Sequence, residues 1–250
     1  MDLIQVTDEG PIRTVRMNRP EKKNALTFAM YDALAAAIEG AQETPAVRCI
    51  LLGGSQTDFC AGNDIGNFAQ MSNHNDERPR PSRRFMHALA RNEKPLVAAV
   101  QGNAVGIGAT MLLQCDHVVA SSEARIAAPF VSLGILPEAG STLIAPRLMG
   151  HMRAFSLLVM GRPLNAEEAK AAGIVNTVVP PAQVETEALK AAQEIAALPA
   201  EGVLTARRLM RGSRDELIAR IDEEAEFIRT RLSSPEARAA FEAFLNRKKA

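Results

Sequence analysis

The chain has 250 residues, of which 47% are hydrophobic, and its 29 basic residues balance its 29 acidic ones. This composition suits a single globular domain, and the lack of a basic surplus argues against nucleic acid or an anionic membrane surface as a partner. The first residues lack the apolar core of a signal peptide, and no apolar run reaches the roughly 20 residues of a membrane span. The three cysteines lack ligand spacing, which predicts free thiols. We therefore expect a cytoplasmic protein.

The chain opens with strand-like runs at 3–7 and 12–17, separated by the turn residues 8–11, which predicts a β-hairpin. Thr27 then provides a favourable N-cap for an amphipathic helix. We expect the apolar face of this helix to be buried. It consists of Tyr31, Leu34, Ile38 and Ala41.

A buried strand at 47–52 follows, and after it come a glycine-containing loop and a polar segment at 69–82 that we interpret as a surface loop. Further strands are predicted at 96–101, 117–120 and 125–128, with a short helix between the first two. Strand, loop and helix repeated in this order indicate an α/β fold with right-handed crossovers.

Beyond Gly140 the pattern is almost entirely helical, with alanine-rich amphipathic segments separated by glycines. We predict a core over residues 1–195 and a C-terminal helical oligomerisation region over residues 196–250. The predicted helices cover 141–149, 151–160, 166–172, 182–197, 200–211, 214–231 and 235–247.

Several classes of site are disfavoured. The glycines at 106 and 108 follow a strand and precede a helix, but Met111 stands where a dinucleotide-binding fingerprint has its third glycine. The four histidines lack the spacing of metal ligands, and no GxSxG elbow indicates a serine hydrolase. We therefore expect neither a metal nor a dinucleotide cofactor.

Two glycine-containing loops follow buried strands and present backbone N–H groups, which is what an oxyanion hole requires. These loops, FCAGND and QGNAVGIGATMLLQCD, resemble the paired signature loops of the enoyl-CoA hydratase/isomerase (crotonase) superfamily. The resemblance spans residues 3–180. Further motifs similar to those of the family follow the same order: NRPEKKNAL, LGILPEAGST and LNAEEAKAAGIV.

The resemblance implies a spiral of ββα turns followed by a helical C-terminal region, an acyl-CoA thioester as substrate with no separate cofactor, and a homotrimer or homohexamer. It also implies that the backbone N–H groups of Asn63 and Ile107 form the oxyanion hole. The family favours glycine at the latter position, so we expect the Ile107 side chain to point away. The expected substrate-binding residues are Lys23, Asn24, Ala25, Ala61, Gly62, Asp64, Ile65, Gly106, Thr110, Phe130 and Phe244.

The reaction depends on which carboxylates are present. A hydratase uses two acids, and this chain has Thr110 and Phe130 where the family has its two glutamates. Glu138 resembles the single catalytic glutamate of Δ3,Δ2-enoyl-CoA isomerases. As an ordinary acid at a helix start it would have a lowered pKa, whereas burial in an acyl pocket would raise it.

We therefore predict a Δ3,Δ2-enoyl-CoA isomerase of fatty-acid degradation, with Glu138 as the base. Two alternatives stay open at this point. One is an enoyl-CoA hydratase or another crotonase-type reaction. The other, from a different class, is a non-catalytic acyl-CoA-binding homologue.

Overall fold

The computed structural model of the chain describes residues 2–64, 80–232 and 234–247. The strands are β1 (Ile4–Glu9), β2 (Ile12–Met17), β3 (Cys49–Gly53), β4 (Leu96–Val100), β5 (Asn103–Val105), β6 (His117–Ser121), β7 (Arg125–Ala127), β8 (Leu164–Asn165) and β9 (Thr177–Val179). The α-helices are α1 (Phe28–Gln42), α2 (Pro81–Arg91), α3 (Ile107–Thr110), α4 (Ser141–Met149), α5 (His151–Leu158), α6 (Ala166–Ala171), α7 (Val184–Ala197), α8 (Ala200–Arg211), α9 (Arg214–Arg231) and α10 (Pro235–Arg247).

The described strands form two sheets. The larger has the order β1-β2-β3-β4-β6-β9, and the smaller has the order β5-β7-β8. β1 and β2 form the predicted antiparallel hairpin, with Ile4 opposite Met17. From β2 onward, neighbouring strands of the larger sheet are parallel, which requires crossover connections through helices and loops. The α/β fold class is therefore confirmed.

The core lies on both faces of the larger sheet. β3 and β4 are buried along their whole length, as is typical of central parallel strands. On one face, α1 turns its predicted apolar side inward, and the Thr27 side chain accepts a hydrogen bond from the Met30 N–H at 3.3 Å. On the other face, α7 buries Val184, Ala188 and Ala192 against the sheet. The predictions for α1 and its cap are thus confirmed.

Several elements differ from the sequence prediction. The predicted loop at 69–82 extends too far along the chain, because Pro81 and Ser82 already belong to α2. This helix starts with a proline, at a position where no backbone N–H is needed. Residues 65–79 of that region lie outside the described residues. β8 and β9 lie between the predicted helices, in a region predicted to be almost entirely helical; strands this short leave no periodic signal in a sequence.

The helices beyond Gly140 match their predicted positions closely. α8 is attached to the core by Arg207, whose Nε donates to Asp116 Oδ2 at 2.7 Å and whose Nη1 donates to the Asn92 carbonyl oxygen at 2.7 Å. α9 packs against α2 and α4 of its own chain. The division at residue 195 and the oligomerisation role of the region after it stay predictions. None of the helices within the described residues has the length and apolar character needed to cross a bilayer.

Candidate active site

The two glycine loops meet beyond the carboxyl ends of β3 and β4. Cys60 and Ala104 form a parallel bridge, in which the Cys60 N–H donates to the Asn103 carbonyl oxygen at 2.9 Å and the Val105 N–H donates to the Cys60 carbonyl oxygen at 2.8 Å. Glycine is required at Gly108, because a Cβ there would lie 2.5 Å from the Cys60 carbonyl oxygen. The sequence therefore allows the close contact that brings the two loops together.

The backbone N–H groups of Asn63 and Ile107 have no acceptor among the described residues. Asn63 pairs with Leu26 in a bridge whose hydrogen bonds involve the neighbouring Gly62 oxygen and Asp64 N–H, so the Asn63 N–H faces away from Leu26. Ile107 is the first residue of α3, where a backbone N–H has no intrahelical acceptor. Its side chain is fully buried in the hydrophobic core, so the backbone N–H is the hydrogen-bond donor that Ile107 provides at the loop.

The segment from Lys23 runs beside the first glycine loop. The Ala61 N–H donates to the Lys23 carbonyl oxygen at 2.9 Å, so predicted ligand-binding residues from the two segments are adjacent. Asn24 is fully buried, and its Nδ2 donates to the Asp58 carbonyl oxygen at 2.8 Å. The Asn24 amide therefore holds the loop, and any contact of this residue with a ligand would involve its backbone.

The remaining residues predicted to bind the ligand are Ala25, Asp64, Ile65 and Phe244, and the structure describes the contacts of the first two. Arg19 Nη1 donates to Asp64 Oδ2 at 2.5 Å and to the Ala25 carbonyl oxygen at 2.9 Å, which ties the two segments together. Ile65 lies outside the described residues. Phe244 belongs to α10, but its side chain is not among those described.

Thr110 and Phe130 stand where the family has glutamates, and both are buried. Thr110 Oγ1 donates to the Gly106 carbonyl oxygen at 3.3 Å, so this hydroxyl faces the backbone of its own helix. The Phe130 ring lies beside Gly106, where an added Cβ would come within 3.9 Å of the ring. Neither position therefore supplies an acid or base.

Glu138 lies just before α4 and is only 9% exposed. Asn63 Nδ2 donates to Glu138 Oε1 at 3.4 Å, and the buried Tyr31 hydroxyl donates to Asn63 Oδ1 at 2.6 Å, which orients the amide. Burial raises the pKa of Glu138 from 4.5 to about 7, the nearby Glu224 carboxylate adds to this rise, and the Asn63 hydrogen bond opposes it. A carboxyl with this pKa can accept and release a proton near neutral pH.

The turn between Glu138 and α4 has an unusual backbone. Ala139 has a φ of 66°, in a region that residues other than glycine seldom occupy. Gln114 Nε2 donates to the Ala139 carbonyl oxygen at 2.8 Å, and Glu224 accepts from the Gly140 N–H at 2.7 Å. The position of Glu138 is therefore fixed by contacts from distant parts of the chain.

Sequence reasoning did not identify Tyr31, Gln114 or Glu224 as parts of this site. For Glu224 a signal exists: Leu217, Ile221 and Glu224 have the spacing of one helical face, so the sequence places an acid on an apolar side. For Tyr31 the only signal is its hydroxyl on a buried helix face, where a polar atom needs a partner. Nothing in the sequence identifies that partner.

The chain belongs to the enoyl-CoA hydratase/isomerase family, whose model matches residues 7–250. This confirms the resemblance of the motifs. Enoyl-CoA delta isomerase 2 of Rattus norvegicus is 36% identical over 250 residues, covering 98% of this chain and 64% of that protein. The chain thus spans 64% of the length of this curated relative.

Two further comparisons cover nearly the full length of both partners. The 1,2-epoxyphenylacetyl-CoA isomerase of Escherichia coli K12 is 31% identical over 255 residues, covering 98% of this chain and 96% of that protein. The crystal structure of an enoyl-CoA hydratase/isomerase from Pseudoalteromonas atlantica is 36% identical, covers 98% of each chain and superposes with a TM-score of 0.93. The crotonase-type fold is therefore confirmed.

Proposed function

We propose that the protein is a Δ3,Δ2-enoyl-CoA isomerase of fatty-acid degradation, which moves the double bond of a 3-enoyl-CoA into conjugation with the thioester. The observation that supports this most directly is the environment of Glu138. It is a buried carboxyl beside the glycine loops, and its pKa is raised to about 7, chiefly by burial. A single carboxyl of this kind is sufficient for a proton shift between two carbons of one substrate.

In the proposed reaction, the Glu138 carboxylate takes a proton from C2 of the substrate. The electron pair moves through the thioester onto its oxygen, and the N–H groups of Asn63 and Ile107 donate hydrogen bonds to the resulting oxyanion. The same carboxyl then returns the proton at C4, so no proton is consumed. Loss of one oxyanion-hole donor typically raises the barrier by about 3 kcal/mol, so both parts of the site are needed.

The alternative role of Glu138, as an ordinary acid at a helix start, receives less support. The N–H groups of Gly140 and Thr142 at the start of α4 donate to Glu224, at 2.7 Å and 3.0 Å. An acid stabilised by a helix start would have a lowered pKa, and that of Glu138 is raised. Both observations favour the catalytic role.

Hydration is the second candidate reaction. It requires two acids around one water, and the positions of the missing glutamates hold Thr110 and Phe130. Glu224 is a second buried carboxylate in this region, but both of its oxygens accept hydrogen bonds from Gly140 or Thr142. These contacts favour isomerisation over hydration.

The proposal extends to assembly and location. We propose homotrimers or homohexamers in the cytoplasm, with coenzyme A present only as part of the substrate. Apolar side chains on α4 and α5 are exposed in the single chain, including Leu148, Met152 and Phe155, which supports the proposed assembly. The described cysteines are free thiols, which supports a reducing compartment. Light scattering coupled to gel filtration tests the assembly, because a monomer at micromolar concentration would contradict it.

Steady-state kinetics with a short 3-enoyl-CoA test the reaction, with formation of the conjugated product followed by its ultraviolet absorbance. We expect Glu138→Gln to lose about 10²- to 10⁴-fold in kcat, as for removal of a general base. Glu167→Gln, which removes an exposed acid at the start of α6, is the matched control and should retain the wild-type rate.

Each other outcome has a distinct meaning. An unchanged rate in Glu138→Gln would refute the role of this residue. Formation of a 3-hydroxyacyl-CoA from a 2-enoyl-CoA by the wild type would favour the hydratase. Tight binding of several acyl-CoAs without turnover of any would favour the non-catalytic homologue.

A further inference from the structure

α4 begins without a cap from its own sequence. Its N-cap residue is Gly140, which has no side chain to accept hydrogen bonds from the first N–H groups of the helix. Glu224, from α9, replaces that cap. Its Oε2 accepts from the Gly140 N–H at 2.7 Å, and its Oε1 accepts from the Thr142 N–H at 3.0 Å and the Thr142 hydroxyl at 2.6 Å.

The packing of α9 places this carboxylate accurately. Leu217, Ile221 and Glu224 follow one face of α9, and a Cβ added to Gly140 would lie 2.3 Å from Leu217 Cδ1. Glu224 itself is 4% exposed. A buried carboxylate is costly unless it is well hydrogen-bonded, so its three hydrogen bonds define a specific site and not a chance contact.

Gly140 follows Glu138 with only Ala139 between them, and the carbonyl oxygen of Ala139 is held by Gln114 at 2.8 Å. We propose that Glu224 is a positioning residue for Glu138: by binding the start of α4 it fixes the turn from which Glu138 reaches the glycine loops. The expected changes in kcat rest on the proposed function, whereas the expected effect of Glu224 on the Glu138 carboxyl does not.

Glu224 also acts on Glu138 through its charge. After burial, the Glu224 carboxylate is the second cause that raises the pKa of Glu138. Burial also raises the pKa of Glu224, and its hydrogen bonds from Thr142 and Gly140 oppose that rise. Glu138, with a pKa of about 7, therefore exchanges a proton near neutral pH.

Other ionisable groups face this pair from the elements packed around it. Arg220, on α9, donates from Nη1 to Thr142 Oγ1 at 3.2 Å, and its charge opposes the rise that burial causes in the pKa of Glu224. Tyr31, on α1, reaches Glu138 through Asn63, and burial raises its pKa well above 10.0. Cys60, on the first glycine loop, is buried with a pKa raised to about 12. Tyr31 and Cys60 are therefore neutral at neutral pH, and the effect of Glu224 on Glu138 can be measured there.

The test uses Glu224→Gln, which keeps the shape but removes the charge and one of the acceptors. Titration of the Glu138 carboxyl carbon is followed by NMR in protein with labelled glutamate, and its signal is identified by its loss in Glu138→Gln. We expect the Glu138 midpoint to move to lower pH in Glu224→Gln, together with the acidic limb of the kcat profile. We expect kcat above that limb to fall by about 10- to 100-fold, as for a misplaced catalytic group.

Glu224→Asp separates geometry from charge and also serves if Glu224→Gln does not fold. It keeps a carboxylate but withdraws it by about 1.5 Å, one carbon–carbon bond length. We expect kcat to fall while the Glu138 midpoint moves less than in Glu224→Gln. Glu226→Gln, an exposed acid on α9 that pairs with Arg229, is the control and should change neither quantity.

An unmoved Glu138 midpoint in Glu224→Gln would overturn the proposal even if kcat fell, because a purely structural residue would produce that result. An unchanged kcat in both Glu224 variants of an active isomerase would overturn it as well. If the midpoint moves but the wild type has no isomerase activity, the proposed function fails and the effect of Glu224 on the Glu138 carboxyl stands.

Discussion

Glu138→Gln provides a test of the site through protein stability, independent of any substrate. The pKa of Glu138 is raised from 4.5 to about 7, mainly because burial disfavours the charged form. The folded protein therefore binds this proton more tightly than the unfolded chain does. The stability from this group is fully present below pH 4.5 and is lost as the pH rises through 7.

The size of the effect follows from the shift. A rise from 4.5 to about 7 corresponds to about 3 kcal/mol of unfolding free energy between the fully protonated and fully ionised limits. Glu138→Gln has nearly the same shape and does not ionise, so it avoids this cost. Relative to the wild type, the variant should gain about 2 to 3 kcal/mol between pH 5 and pH 9.

Urea unfolding followed by circular dichroism at several pH values measures this difference, with the same protein concentration throughout. Glu167→Gln is again the control, because Glu167 is exposed and its replacement should give no comparable trend. A difference between Glu138→Gln and the wild type that did not change with pH, or that became smaller as the pH rose, would refute the raised pKa of Glu138.

Two further substitutions test the supports of the site. Tyr31→Phe removes the hydroxyl that donates to Asn63 Oδ1 at 2.6 Å; we expect a loss of about 1–3 kcal/mol in urea unfolding and a lower kcat with little change in KM. Unchanged stability and kcat would contradict the role of this hydroxyl. Gly108→Ala places a Cβ 2.5 Å from the Cys60 carbonyl oxygen, and the strain should cost about 1–3 kcal/mol and reduce turnover. The control Gly202→Ala has nothing within 4 Å of the added Cβ and should be neutral or stabilising; equal effects of the two alanines would refute the packing argument.

The sequence predicts the elements that have a long periodic pattern or a clear cap. α1 is an example, because Thr27 marks its start and its apolar residues repeat with helical spacing. α2 and β9 illustrate the limit. α2 is preceded by a polar, proline-containing segment that hides its start, and β9 is a three-residue strand whose place beside β6 depends on long-range pairing.

The same distinction applies to the site. Asn63, Ile107 and Glu138 lie in local motifs, so their positions along the chain can be predicted from a resemblance. Glu224 binds Gly140 across 84 residues, and Tyr31 binds Asn63 across 32. Such contacts depend on how helices pack against the sheet and its loops, and local sequence patterns contain no information about those distances.

The most direct test of the central claim is NMR of the wild type and Glu138→Gln with a short 3-enoyl-CoA in D2O, following the double-bond position and deuterium at C2 and C4. We predict migration of the double bond in the wild type, with exchange that is lost in Glu138→Gln. Exchange without migration would contradict the isomerase and indicate another crotonase-type reaction. Migration at the same rate in both proteins would contradict the role of Glu138.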